Sequence, residues 1–217
     1  VSEVGLGCMR MADKSVEEAC EILETALSVG INFFDHADMY GRGKAELVFG
    51  KAIKALNVDR ESIIIQSKCG VDVDTGTFNF EKQYILDSVD GILERLQTDY
   101  IDVLLLHRGD ALVEPKEVAE AFDILKASGK VRHFGVSNHS GMMIDLLNKN
   151  LNVDLVANQV QMSIMHTPAI DYALNFNNRS ALGTDHAAGM IEYARLHNIT
   201  LQAWSPFYAG FFEAVFV

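Results

Sequence analysis

The sequence predicts an α/β protein of the (β/α)8 (TIM) barrel class, incomplete in this chain, with strands one to seven present and the eighth strand and C-terminal helices missing. Three observations carry that prediction. Short β-branched runs alternate with amphipathic helical stretches in one unbroken rhythm. The strand runs are apolar at nearly every position, as expected when both faces of a parallel sheet are covered. Polar residues collect at the carboxyl end of almost every strand: Asp35, Lys68, His107, Ser137 with Asn138, Gln159 and Ser205. An open doubly wound sheet places its site at one switch point. A barrel gathers all its strand ends around one mouth, and the distribution favours the barrel.

The elements follow in order. Val4–Gly7 reads as a first strand. Ser15-Val-Glu-Glu18 has the form of a capping box and opens a helix whose apolar positions recur at helical spacing as far as the stop at Gly30. Ile31–His36 is the second strand, Ala45–Leu56 the second helix and Ser62–Lys68 the third strand. The turn-rich stretch Asp72–Asn79 leads into a helix from about Glu81 to Leu96. Ile101–His107 is the fourth strand, and Pro115 suits the first turn of a helix ending near Ser128. Val131–Ser137 is the fifth strand, Met142–Leu147 lies in the fifth helix, and Leu155–Val160 is the sixth strand. Thr167–Ala187 reads as a long loop with one short helix. A helix over Gly189–His197 and a seventh strand, Thr200–Ser205, follow. Residues 1–217 form one domain, with no linker or charge block dividing them.

Composition narrows the function. The 217 residues carry a net charge of −12, which argues against nucleic acid or an anionic membrane surface as partner, since both require a basic stripe. No apolar run approaches the roughly 18 residues of a membrane helix. Cys8, Cys20 and Cys69 are odd in number and widely spaced, which fits a reducing cytoplasm. The sequons at Asn138, Asn178 and Asn198 read as chance matches.

The chemistry concentrates on Asp35, Tyr40, Lys68 and His107. A tyrosine near an ammonium can act as a general acid, because its ordinary pKa of about 10 is otherwise high for donation at neutral pH. Lys68 can supply that ammonium, Asp35 can orient it, and His107 can hydrogen-bond a substrate oxygen. Singly, each has a plain structural alternative: a half-buried cap for Tyr40, a solvated strand end for Lys68, a satisfied buried group for His107. Their order on successive strands favours catalysis. Other motifs are weaker. Gly5-Leu-Gly7-Cys-Met-Arg10 lacks the third glycine of a dinucleotide fingerprint, and Gly50-Lys51-Ala52 lacks the Ser/Thr of a P-loop. His36, Asp38, His107 and His133 could suggest the metal site of a barrel metallohydrolase, but His36 is one position out of phase with Asp35 and His133 points away from the mouth, so that reading ranks low and no metal is expected. Met9, Met11 and Met39 read as packing more than as a pocket lining.

Five segments together resemble the aldo-keto reductases: Gly30-Ile-Asn-Phe-Phe-Asp35-x-Ala-Asp-x-Tyr40-Gly, Ser67-Lys68, Asp99-Tyr-Ile-Asp-Val-Leu-Leu-Leu-His107-Arg, Gly129-Lys-Val-Arg-x-Phe-Gly-Val-Ser137-Asn138 and Ala203-Trp-Ser-Pro206. The resemblance runs from about Gly5 to Pro206 and is strongest to bacterial monomeric members of the general oxidoreductase branch. It implies reduction of aldehydes and ketones by NADPH, in preference to NADH, with a small-molecule carbonyl as partner. Tyr40 would be the general acid, Lys68 and Asp35 would depress its pKa, and His107 would orient the carbonyl. Ser137, Asn138 and Gln159 would bind the nicotinamide carboxamide, Trp204 would stack on the ring, and Ser205 would lie near the pyrophosphate. Two alternatives stay open: a non-catalytic nicotinamide-binding or regulatory subunit on the same fold, and an inactive truncated form. The likeness stops after Pro206, before the region where the family holds the 2′-phosphate. The expectation is therefore that the chain belongs to a longer protein.

Overall fold

The parallel sheet of the computed structural model is laid down in chain order. The structure describes residues 1–179, 181 and 189–207. The strands are β1 (Gly5–Gly7), β2 (Phe33–Asp35), β3 (Ile64–Cys69), β4 (Val71–Asp72), β5 (Thr77–Phe78), β6 (Ile101–Leu106), β7 (Val131–Ser137), β8 (Leu155–Gln161) and β9 (Thr200–Trp204). Seven of them form one sheet in the order β1-β2-β3-β6-β7-β8-β9, every pairing parallel. The helices between them are α1 (Val16–Ser28), α2 (Lys44–Ala55), α3 (Lys82–Leu96), α4 (Pro115–Ala127), α5 (Gly141–Asn148), α6 (Pro168–Leu174) and α7 (Met190–Leu196). Side chains of β3 and β9 meet across the sheet's inner face. The sheet is therefore rolled, as in an incomplete (β/α)8 barrel. The eighth strand and C-terminal helices expected to be missing have no counterpart among the described residues.

The register sorts side chains into two populations, because neighbours along a strand point to opposite faces. Phe34, Ile65, Leu104, Leu106, Phe134 and Val136 face the helices and belong to the main core. Phe122 of α4 stacks on Phe134 with ring centroids 4.1 Å apart. The inner face is sparser in hydrocarbon: Val103, Leu105 and Ala157 make a small separate cluster. Beyond it, towards the carboxyl ends of the strands, the inner positions become polar.

Local chemistry accounts for the helix starts. The Ser15 hydroxyl accepts from the Glu18 amide, and the Glu18 carboxylate accepts from the Ser15 amide, which completes the capping box. Pro115 occupies the first turn of α4, and the Ser140 side chain caps α5. Most strand and helix limits fall within a residue or two of the sequence expectation. The differences lie where patterning is too short to register. Met9–Asp13 is a 3-10 helix, and the stretch from Asp72 contains an antiparallel hairpin of β4 and β5. Its turn is closed by Asp72, whose carboxylate accepts from the Asp74 and Thr75 amides. Within the expected loop 167–187, α6 is the short helix, and residues 180 and 182–188 lie outside the described residues, as do 208–217. Among the described residues no helix is long and apolar enough to cross a membrane.

Gly50 fixes how closely α2 approaches the end of α3. A Cβ there would lie 2.6 Å from the Arg95 carbonyl oxygen and 2.7 Å from that of Leu96. Gly50→Ala is expected to lower stability by about 1–3 kcal/mol through overpacking, although alanine is the better helix former by about 1 kcal/mol. Urea unfolding measures this, and an unchanged or raised midpoint would refute the close approach.

Candidate functional site

The site is assembled from strand ends. Asp35 closes β2 and Lys68 lies one residue from the end of β3, both on the inner face. The loop after β2 is pinned by its backbone: the Asp38 amide donates to the Lys68 carbonyl, and the Tyr40 amide to that of Ala37. That fold-back carries Tyr40 over the mouth. Lys68 is fully buried, and oxygen surrounds its ammonium: Asp35 Oδ2 at 2.7 Å, Asp35 Oδ1 at 2.8 Å, the His36 carbonyl at 2.7 Å and the Tyr40 hydroxyl at 3.3 Å. His107 follows β6, with its ring edge-on to Tyr40 and the centroids 5.9 Å apart. The four residues singled out for chemistry are thus brought together.

Electrostatics divides their roles. Burial alone would push the Lys68 ammonium towards neutrality, but the Asp35 charge and its hydrogen bonds outweigh burial, and the pKa is raised. Lys68 stays charged. Burial is also the largest influence on Tyr40 and raises its pKa; Lys68 opposes this, while the negative Asp35 adds to the rise. The family likeness led to the expectation that Lys68 and Asp35 together depress Tyr40. In this structure only Lys68 pulls downward, and the net direction is upward, so the phenol holds its proton at neutral pH. His107 is pushed down to about 3, by burial first and then by Lys68 and Arg108, and its buried Nδ1 has no partner among the described residues. It is a neutral imidazole.

The opposite half of the mouth comes from β7, β8 and β9. The Ser137 hydroxyl donates to the Gln159 backbone carbonyl at 2.9 Å. Asn138, at a left-handed φ of 58°, donates through Nδ2 to Ser137 Oγ at 2.8 Å and to the His107 carbonyl at 3.3 Å. The Trp204 indole donates to Asn138 Oδ1 at 3.0 Å, and the Arg108 guanidinium lies 6.0 Å from the Trp204 ring centroid. Ser205 follows at a φ of 49°, half-buried. Amide and hydroxyl groups beside a half-buried flat indole suit a neutral, planar carboxamide-bearing ring such as nicotinamide. The Ser137 and Asn138 side chains are bonded to each other and to backbone here, so a ligand would have to compete for them.

Sequence reasoning missed two kinds of residue. Gln66 and Gln202 occupy the inner face beneath Lys68 and Trp204. They lie two positions before residues already singled out, so strand alternation was the available signal. Glu46 was also missed: it is buried behind β3, accepts from Ser67 Oγ at 2.6 Å and pairs with Arg95 at 2.8 Å. Asp38 lies in the same layer, and burial first and then Glu46 push its carboxyl up to about 7. The histidines considered for a metal separate. His36 faces the helices, edge-on to Phe49, whereas His133 is exposed, four residues before Ser137 on its strand. No cluster of metal-binding side chains occurs among the described residues.

A family model described as Aldo/keto reductase family matches residues 3–215. The chain belongs to the aldo/keto reductase family. It is 41% identical over 167 residues to the oxidoreductase YcsN of Bacillus subtilis (strain 168), covering 73% of this chain and 56% of YcsN. It superposes on a holo-form aldo-keto reductase from Bacillus halodurans with a TM-score of 0.74 and 31% identity, covering 93% of this chain and 61% of the other. For an aldo-keto reductase of Klebsiella pneumoniae in complex with NADPH, the TM-score is 0.76 at 27% identity, with 97% and 66% covered. The chain thus spans a little over half the length of YcsN and about two thirds of the solved relatives.

The buried histidines give this aldo/keto reductase chain a definite acid response. His36 is fully buried with no partner for either ring nitrogen among the described residues, and burial, then Lys68, pushes it down to about 3. Below about pH 6.5 an unfolded histidine gains a proton that the folded one refuses. Stability from His36 is therefore present above that pH and lost as the pH falls towards 3, by up to about 1.4 kcal/mol per unit. His107 adds the same sign, whereas Asp38, raised in the fold, contributes stability at low pH that is lost as the pH rises to about 7. His36→Phe isolates one proton from this balance. Its stability profile between pH 4 and 7 is expected to be flatter on the acid side, and a constant wild-type-to-variant difference across that range would contradict a buried neutral His36.

Proposed function

We propose that this chain serves NADPH-dependent reduction of aldehydes and ketones, with Tyr40 as the general acid. The observation that carries the reading is the fully buried Lys68 ammonium held between Asp35 and the Tyr40 hydroxyl, with a neutral His107 beside the phenol. Structural relatives support the cofactor, one of them being in complex with NADPH. Bound nicotinamide would supply the hydride.

The residues then divide the work. As the carbonyl carbon accepts hydride, negative charge grows on the carbonyl oxygen, and donors must already be aimed there. Tyr40 gives that oxygen its proton, completing the alcohol. Lys68 stabilises the phenolate left behind, and Asp35 keeps Lys68 charged and in place. His107, which does not take a proton at neutral pH, orients the carbonyl by a hydrogen bond. With the cofactor bound, Ser137, Asn138 and Gln159 would hold the carboxamide, Trp204 would cover the ring, and Ser205 would lie towards the pyrophosphate. NADPH is preferred to NADH on family likeness. The substrate is a small carbonyl compound, and we propose a cytoplasmic monomer.

Tyr40→Phe is expected to lower NADPH-dependent reduction of simple aldehydes and diketones by about 10²–10⁴-fold, with the fold retained by circular dichroism. Unchanged NADPH oxidation in the variant would refute Tyr40 as the acid. Quenching of nicotinamide fluorescence by the unaltered chain without any turnover would favour a binding or regulatory subunit instead.

A further inference from the structure

A line of side-chain amides crosses the barrel interior between the two halves of the site. Gln66 lies on β3, two residues before Lys68 and on the same face, and is fully buried. Gln202 lies on β9, two residues before Trp204. The pair is 136 residues apart in sequence and bonded reciprocally: Gln66 Nε2 donates to Gln202 Oε1 at 2.8 Å, and Gln202 Nε2 donates to Gln66 Oε1 at 3.0 Å. At one end Gln66 Nε2 also donates to Asp35 Oδ1 at 2.6 Å. At the other, Gln159 Nε2 donates to Gln202 Oε1 at 3.2 Å.

These bonds have a direction. A carboxylate oxygen only accepts, so Asp35 requires the amide nitrogen of Gln66, not its oxygen. With Gln66 so fixed, its oxygen meets the nitrogen of Gln202, and its nitrogen meets the oxygen of Gln202. Gln202 is fixed in turn, and its oxygen selects the nitrogen of Gln159. Turning over Gln66 or Gln202 would set oxygen against oxygen and nitrogen against nitrogen, and turning over Gln159 would set its oxygen against that of Gln202, leaving polar groups unpaired. Gln159 is left with its Oε1 as the acceptor that no donor occupies among the described residues.

We infer that Gln66 and Gln202 are positioning residues that transmit the orientation set by Asp35 to Gln159, so that Gln159 presents a carbonyl oxygen to an N–H donor on the bound ligand. On the nicotinamide reading proposed above, that donor is the carboxamide NH2. Neither glutamine touches the reacting atoms. Gln66 holds Asp35 through Oδ1, an oxygen it shares with Lys68, and Gln202 holds Gln159, so acid orientation and ligand orientation share one network. Linked side-chain networks of this kind are stiff, because each bond constrains the next.

Two isosteric substitutions, Gln66→Met and Gln202→Met, and their combination test this. The first measurement needs no ligand: the side-chain amide NMR signals of the free protein. Gln66→Met is expected to shift the Gln159 NH2 signals and speed their exchange, although position 66 is not bonded to Gln159. Gln159 signals unmoved by Gln66→Met would overturn the relay. The second measurement is the Kd for NADPH from fluorescence quenching. Each single variant is expected to weaken binding about five- to tenfold, the loss of one oriented hydrogen bond. The double variant is expected to be no weaker than either single one, because either change breaks the same chain. Losses that multiply in the double variant would overturn the inference. If the unaltered chain fails to quench NADPH, the carboxamide assignment falls together with the nicotinamide reading, and the amide spectra alone then decide the relay.

Discussion

The site depends on keeping one ammonium charged where there is no water. Lys68 is fully buried, and an isolated charge in that position would lose several kcal/mol of solvation and shed its proton. Four oxygens within 3.3 Å prevent this, and two of them bring the compensating charge of Asp35. The geometry of the mouth follows from that requirement. The His36 carbonyl can reach Lys68 only if β2 ends at Asp35 and the chain turns there. The same turn places Tyr40 against the ammonium. Packing Tyr40 there buries its hydroxyl, which raises its pKa and keeps the proton on at neutral pH.

The barrel supplies what the ammonium needs because its two faces differ. Outward positions are hydrocarbon and meet the helices, so they can be chosen for packing alone. Even there, the layer directly behind β3 is not purely apolar. Glu46, Ser67 and Arg95 form a buried polar knot on the far side of the strand that carries Lys68. That knot ties α2 and α3 to β3, and the glycine contact of α2 on the end of α3 lies beside it. Helix packing and the position of Lys68 are therefore coupled through one strand.

Much of this was legible in the sequence. Alternation of runs gave the seven parallel strands in their order, and polar residues at strand ends gave the mouth. Asp35, Tyr40, Lys68 and His107 do converge. What escaped was of two sorts. The hairpin of Val71–Asp72 with Thr77–Phe78 and the 3-10 helix of Met9–Asp13 are shorter than any periodicity can reveal, and turn chemistry sets them instead. Gln66 and Gln202 sit within apolar runs and are joined only by the rolling of the sheet. Each strand betrays its inward position by alternation, but which inward positions face each other depends on barrel closure. The sign at Tyr40 was hidden for a related reason. Proximity to Lys68 is readable from spacing, whereas depth of burial is a property of the assembled mouth.

The amide layer bears on why this interior is polar at all. Barrel interiors are ordinarily filled by branched aliphatic side chains in layers. The small inner cluster of Val103, Leu105 and Ala157 obeys that pattern here. Extending it to position 66 would set hydrocarbon against Asp35 Oδ1, which would keep only its bond to Lys68. A carboxylate with spare acceptor capacity in an apolar surround raises the free energy of its own charge, and the charge on Lys68 depends on that of Asp35. Gln66 fills the space with a donor aimed at Asp35, but an amide brings a second N–H and an oxygen that also need partners. Gln202 answers both at once by pairing reciprocally. Its remaining acceptor capacity takes the Gln159 amide, whose unoccupied oxygen belongs to the residues of the opposite half of the mouth. The requirement that begins at Lys68 is thus satisfied step by step across the barrel, and the last group in the series is one that can be completed by a ligand.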